Sequence, residues 1–204
     1  MRSTSRPTSP CIVLSTDFQQ PAWRAFTYAL RLASALGCHL QIIHVIKTVS
    51  KSSQVSPDSR YLNSLKTAAL LKLGHLTRTA TEKGIHAKPT LLFGTPSDCI
   101  LEFASRSQAE LIVMGTHGRS AWDRMKLGST ARTVVREAPC PVLTLREVVA
   151  RDSFRYHPKV CLDQILVATD FSSCARAALH YAARLSTQCK AKMCVVHAAD
   201  EGIA

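Results

Sequence analysis

From residue 11 to residue 146 short aliphatic and β-branched runs alternate with longer stretches of helical periodicity. That alternation leaves this chain few ways to fold. Residues 11–16 (CIVLST) read as a buried strand. Pro21 suits the first turn of the next helix, which is expected to close near Gly37, where a left-handed C-cap glycine belongs. Residues 39–46 (HLQIIHVI) are the second expected strand, and the Ser- and Lys-rich stretch 47–59 reads as a loop. Leu62, Leu65, Ala69, Leu73 and Leu76 share one face of a helix over 60–83, closed by Gly84. Residues 87–93 form a third strand. Thr95, Pro96 and Asp98 then offer a capping hydroxyl, a proline at the first helical position and an acid in the first turn of a helix reaching about Ser107. Residues 110–114 (ELIVM) are the fourth strand, 115–126 a glycine-punctuated loop, 128–137 a helix and 141–145 (PVLTL) the fifth strand.

The expected fold class is therefore α/β: an open five-stranded parallel sheet, Rossmann-like, with helices on both faces and right-handed crossovers. The strands are continuous apolar runs, as strands buried on both faces should be. Residues 147–163 are polar and irregular and read as a linker, and residues 1–10 as a disordered N-terminus. The remainder, 164–204, repeats the head. With an offset of 153 positions, residues 12–46 align with 165–199 without a gap, and eleven of the 35 pairs are identical. The shared Thr16-Asp17-Phe18 and Thr169-Asp170-Phe171, followed by His44 and His197, argue against convergence by composition. The chain is expected to be a tandem repeat whose second copy stops after strand, helix and strand.

The formal net charge is +12. Seventeen of the 26 Lys and Arg and eight of the 14 Asp and Glu fall in residues 11–146, so the excess sits diffusely in the first block. No run of five or six like charges marks a nucleic-acid arm. Diffuse positive charge suits an anionic small ligand instead. No apolar run approaches the roughly 18 residues of a membrane span, and no apolar segment follows the two arginines of residues 1–10 as a secretory signal requires. A cytoplasmic protein, with neither nucleic acid nor membrane as partner, is expected. The eight cysteines show no C-x-x-C and no zinc spacing, and most lie in apolar segments. They read as free, buried thiols of a reducing compartment.

The chemistry-bearing segment is Gly115-Thr116-His117-Gly118, nine further residues, then Gly128-Ser129-Thr130. It leaves a buried strand and enters a helix, and open parallel sheets bind ligands outside the carboxyl ends of their strands. Glycines there let the backbone approach a phosphate. The new helix offers unpaired N–H groups at its positive end, and Ser129 and Thr130 add hydroxyls. Asp17, just past the first strand, reads as a helix cap, as a ribose or metal-bridge contact, or as both. His44, inside an apolar strand, reads as a satisfied buried histidine. His117 either touches phosphate or shapes the loop. There is no G-x-x-x-x-G-K-[ST], H-E-x-x-H or G-x-S-x-G, and no obvious base to activate water or an alcohol.

Four stretches together resemble the universal stress protein family, of the ATP-binding kind: residues 13–17 (VLSTD), 42–46 (IIHVI), 111–118 (LIVMGTHG) with Gly128-Ser129, and 138–143 (APCPVL). The resemblance covers residues 11–146 as a full module and the tail as a truncated second one. It implies strand order 3-2-1-4-5. It also implies ATP, with Thr16 and Asp17 flanking the nucleotide and the main chain of Val45 against adenine. Gly115, Gly118, Gly128, Ser129 and Thr130 would hold the phosphates, with Met114 and His117 also among the nucleotide-binding residues. A divalent cation, Mg or Mn, is expected through the triphosphate, with no metal site of the protein's own. The segment departs from the family in reading Ser15-Thr16 before the aspartate, where a proline or valine is common.

These features imply an ATP-binding regulatory or stress-response protein with no catalytic residues and slow hydrolysis at most. The alternatives are a dimeric scaffold that binds no nucleotide and a slow phosphotransferase or ATPase. The resemblance also implies a homodimer across the outer strand edge at Val142, Leu143 and Leu145, since an apolar open edge invites pairing. One nucleotide per chain is expected, because Asp170 has no following phosphate loop.

Overall fold

The computed structural model describes residues 10–48, 59–116, 127–146 and 162–199. The chain divides into two units, Met1–Arg155 and Tyr156–Ala204. In the first, the elements are β1 (Cys11–Ser15), α1 (Gln20–Leu36), β2 (His39–Lys47), α2 (Ser59–Glu82), β3 (Ala87–Gly94), α3 (Pro96–Arg106), β4 (Leu111–Gly115), α4 (Ser129–Glu137) and β5 (Val142–Leu145). All pairings are parallel and the sheet order is β3-β2-β1-β4-β5. The order reverses at β1, so the carboxyl ends of β1 and β4 flank the topological switch point where open sheets take ligands.

The pleat sorts the side chains of β1 between two layers. Val13 joins Ile43, Ile112 and Met114 beneath Ile100 and Ala104 of α3 and Ala131 and Val134 of α4. Ile12 and Leu14, paired with Leu40 and Ile42, turn to the opposite face, where α1 and α2 lie against the sheet. All four are fully buried, and burial on both faces is why β1 and β4 are near-continuous apolar runs. α1 ends as its sequence indicates, with Gly37 left-handed at φ 64° and its amide on the Ala33 carbonyl. The cap expected at α3 differs: Thr95 holds the N-cap position but its hydroxyl makes no capping hydrogen bond. On α2, Ala69, Leu73 and Leu76 are buried while Leu62 and Leu65 are half-buried.

The second unit holds β6 (Gln164–Ala168), α5 (Ser173–Cys189) and β7 (Lys192–Val196), with β6 and β7 paired in parallel. Here Lys190 takes the left-handed C-cap conformation, φ 55°, that Gly37 takes in the first unit. α5 packs on the sheet so that Val167 and Ala182 are buried. Leu166 is 68% exposed although Val13, its counterpart at the 153-residue offset, is 0% exposed. The contrast has a local cause: Val13 lies under α3 and α4, and the described residues of the second unit include one helix. The expected boundaries at residues 1–10 and 147–163 fall largely outside the described residues.

Candidate functional site

The end of β1 is a knot of hydrogen bonds centred on Thr16, which is 5% exposed. Its amide donates to the Ile43 carbonyl of β2 at 3.0 Å. Its Oγ1 accepts from the Phe18 amide at 3.0 Å, and its carbonyl lies 2.7 Å from Nδ1 of His44. A carbonyl can only accept, so Nδ1 of His44 carries the proton. Phe18 is left-handed at φ 62°, a conformation costing a bulky residue about 1–2 kcal/mol. Its ring rests on the His44 imidazole at a centroid distance of 4.4 Å, and the Lys72 ammonium sits 5.2 Å from the same ring. Asp17 is thrown outward and exposed, with Oδ1 accepting from the Gln19 amide at 3.0 Å. Gln19 is the N-cap of α1 and makes no side-chain cap bond. Asp17 therefore closes a turn ahead of the helix instead of capping it.

Beside this knot, register pairs Ser15 with Met114 and so sets Thr16 next to Gly115. Thr116 is 3% exposed. Its amide donates to the Leu145 carbonyl at 2.9 Å, and its carbonyl accepts from the Gly128 amide at 2.9 Å. That last bond pins the two ends of the glycine loop together and fixes where α4 begins. Gly128 is the N-cap and has no side chain to cap with, so the first-turn amides of α4 point toward the loop side of the sheet at the helix's positive end. Ser129 is exposed there and Thr130 half-buried. Gly128 has φ −57°, which any residue adopts, so its backbone conformation does not require glycine.

Of the residues singled out from the sequence, the fold brings Thr16, Asp17, Met114, Gly115, Gly128, Ser129 and Thr130 to one edge, with Val45 near the end of neighbouring β2. Met114 is buried under α3 and α4, which leaves its main chain as the part facing that edge. His117 and Gly118 lie outside the described residues. His44 is satisfied through Thr16, as expected, but it is half-buried and not buried. Sequence reasoning missed Thr116, whose only signal was its place after Met114-Gly115, and Phe18, whose backbone conformation has no signal in a residue of its size.

The cysteines depart from expectation. The seven described ones are free, but only Cys11 and Cys38 are buried, and Cys174 and Cys194 are exposed. Burial pushes the Cys140 thiol up to about 11 and raises Cys11 and Cys99 as well, so these are protonated thiols and not nucleophiles at neutral pH. Leu145, expected at the outer edge, has its side chain buried, while Val142 and Leu143 of β5 are half-buried. Among the described residues no three His, Cys, Asp or Glu side chains group as a metal site. No described helix is long and apolar enough to cross a membrane.

The knot recurs in the second unit. The Phe171 amide donates to Thr169 Oγ1 at 3.0 Å, Nδ1 of His197 lies 2.7 Å from the Thr169 carbonyl, and the Phe171 and His197 rings are 4.5 Å apart. Phe171 is left-handed at φ 63°. Asp170 accepts from the Ser172 amide at 2.9 Å, and its hydrogen bonds with Ser172 hold its carboxyl below the usual range.

A doubly wound parallel sheet with a strand–loop–helix edge at its switch point defines an α/β module of the Rossmann-like class. The family model for the universal stress protein family matches residues 11–146 and 162–204, and the chain belongs to that family. Over 138 residues it is 32% identical to a universal stress protein of Methanocaldococcus jannaschii, covering 67% of this chain and 81% of that one. A universal stress protein of Archaeoglobus fulgidus superposes with TM-score 0.73 at 22% identity, over 94% of this chain and 67% of the other. A universal stress protein solved in complex with cAMP superposes with TM-score 0.55 at 23% identity, over 69% of this chain and 99% of the other. At these identities the solved structures establish the fold.

The knot generates a test. Replacing His44 with Leu keeps an apolar strand residue but withdraws the donor from the Thr16 carbonyl. The expected loss is about 1–2 kcal/mol of stability, read from the urea midpoint. An unchanged midpoint would show that the bond contributes nothing.

Proposed function

We propose that this protein binds ATP at the carboxyl edge of the first unit's sheet and acts as a regulatory nucleotide-binding protein with little or no turnover. The observation that supports this best is the pinned loop: the Gly128 amide on the Thr116 carbonyl holds an uncapped helix N-terminus beside the ends of β1 and β4. Such an edge suits a phosphate chain, because its donors are backbone amides that need no reorganisation. That a relative of the same fold was solved with cAMP supports a nucleotide as ligand. In this reading the amides and hydroxyls of Ser129 and Thr130 meet the phosphates, with Gly115 and Gly128 giving room and His117 and Gly118 completing the loop. Asp17, exposed with one oxygen held by Gln19, faces the ribose. The main chain of Val45 meets adenine, and Thr16 shapes the turn that aims Asp17.

A divalent cation fits this edge only through the phosphates, because Asp17 is the one carboxylate among the described residues assigned to it. When bound, Mg or Mn would neutralise phosphate charge. The protein's own residues would hold the nucleotide and exclude water. With the phosphates held by backbone amides and no catalytic role assigned to a residue of this edge, the reading is one of storage or sensing.

The same reading joins two copies across the outer edge at β5, with Val142 and Leu143 contributing and the buried Leu145 serving the core. Light scattering of the parent protein at micromolar concentration should give a dimer, and Leu143→Asp should give a folded monomer. A monomeric parent would contradict this part.

For the nucleotide, Gly128→Val keeps an allowed φ but fills the space at the loop. ATP affinity should fall at least about tenfold, or about 1.4 kcal/mol, in calorimetric titration, with the circular dichroism spectrum unchanged. Parent-like affinity in the variant would move the site elsewhere.

A further inference from the structure

On the face opposite α3 and α4, the first unit has a concavity. A groove of about 320 Å³ runs between α1 and α2, lined by Thr16, Phe18, Ala22 and Leu76 and rimmed by Trp23, Leu71, Lys72 and His75. Among the described residues assigned to the nucleotide edge, Thr16 is the one that lines it. Its floor is buried and apolar: Ala22 and Leu76 are buried and Phe18 half-buried. Its wall is Trp23, 50% exposed, which meets the His75 ring edge-on across the two helices at 6.2 Å. A half-exposed indole beside an apolar floor offers a surface on which a flat ring can stack.

The rim is cationic. Lys72 brings its ammonium over the Phe18 ring at 5.2 Å. Arg78 approaches Nδ1 of His75 at 3.5 Å. A guanidinium can only donate, so in this contact Nδ1 accepts and the second ring nitrogen is the N–H donor. None of the eight lining residues is acidic. The helices themselves share this bias. α1 carries Arg24 and Arg31 and no acid, and α2 carries Arg60, Lys66, Lys72 and Arg78 against Glu82 at its far end. A neutral apolar ligand would leave the rim unused, and a small inorganic anion would leave the floor bare.

We propose that the groove between α1 and α2 is a second ligand site, taking a planar aromatic monoanion such as an aryl carboxylate. The ligand ring lies over Ala22 and Leu76 and against Trp23, with the edge of Phe18 beside it, and the carboxylate takes the Lys72 ammonium and the His75 N–H. The site is distinct from the glycine-loop edge and stands whether or not that edge binds ATP.

The probes are 2-naphthoate and its neutral counterpart 2-naphthamide, titrated into the full chain carrying Trp122→Phe so that Trp23 is its one tryptophan. Naphthoate should perturb Trp23 fluorescence with a dissociation constant of about 0.1–1 mM, the range for a ligand of this size. The amide should bind at least about fivefold more weakly. Lys72→Met, which keeps the stem over Phe18, should weaken naphthoate about fivefold or more, while Lys66→Met on the same helix should not. Saturating ATP, or Gly128→Val, should leave naphthoate binding in place. No binding at millimolar naphthoate would overturn the proposal. So would equal binding of acid and amide, or an unaffected Lys72→Met. Displacement by ATP would also overturn it, because the groove would then belong to the nucleotide edge.

Discussion

Three hydrogen bonds at one threonine set the geometry on which the first unit's site depends. Thr16 gives its amide to β2, its hydroxyl oxygen to Phe18 and its carbonyl to His44. Together they stop β1, tie it to β2 and turn the chain sharply enough to launch α1 back over the sheet. They also hold Phe18 in a left-handed conformation that a bulky residue avoids, with ring contact to His44 and Lys72 offsetting the strain. The outward throw of Asp17 follows from that turn. The same three partners, at nearly the same distances, recur around Thr169. The turn is therefore a property of the Thr-Asp-Phe…His pattern, which forms it in two places with different surroundings.

What the first unit adds is β4 and the helix after it. The parallel pairing of β1 with β4 brings Gly115 alongside Thr16, and the Thr116–Gly128 bond sets the start of α4 beside both. An exposed carboxylate and an uncapped helix N-terminus then share one edge, with opposite preferences for charge. The helix end favours anionic phosphate, and the carboxylate favours hydroxyls or a cation carried by those phosphates. In the second unit the described residues contain the turn without such a neighbour, and Leu166 is left exposed.

The centre of the sheet was legible because burial on both faces makes β1 and β4 continuous apolar runs, and Ile12, Leu14, Leu40 and Ile42 leave no other reading. Gly37 and Pro96 marked helix limits for the same reason that they are used there, backbone conformation. The legibility failed where tertiary contacts override local preference. The Thr95 hydroxyl has the identity of a cap and does not make the bond. Phe18 is left-handed because Thr16 and His44 hold it so, and nothing local to Phe18 encodes this. The described cysteines of the second unit, Cys174, Cys189 and Cys194, are exposed or half-exposed, because apolar sequence buries a residue only where something covers it. The groove at Trp23 and Lys72 was invisible to a reading along the chain, since it exists only where two helices meet.

The central claim is that the loop-to-helix edge after β4 holds a nucleotide through backbone amides. Amide NMR shifts during an ATP titration of the full chain test it most directly. The amides of Gly115, Gly128, Ser129 and Thr130 should shift together and saturate at one equivalent, while those of Thr169 and Asp170 stay in place. Shifts at Thr169 and Asp170 that saturate with a second equivalent, or no shift at Ser129 and Thr130 with millimolar ATP, would contradict it.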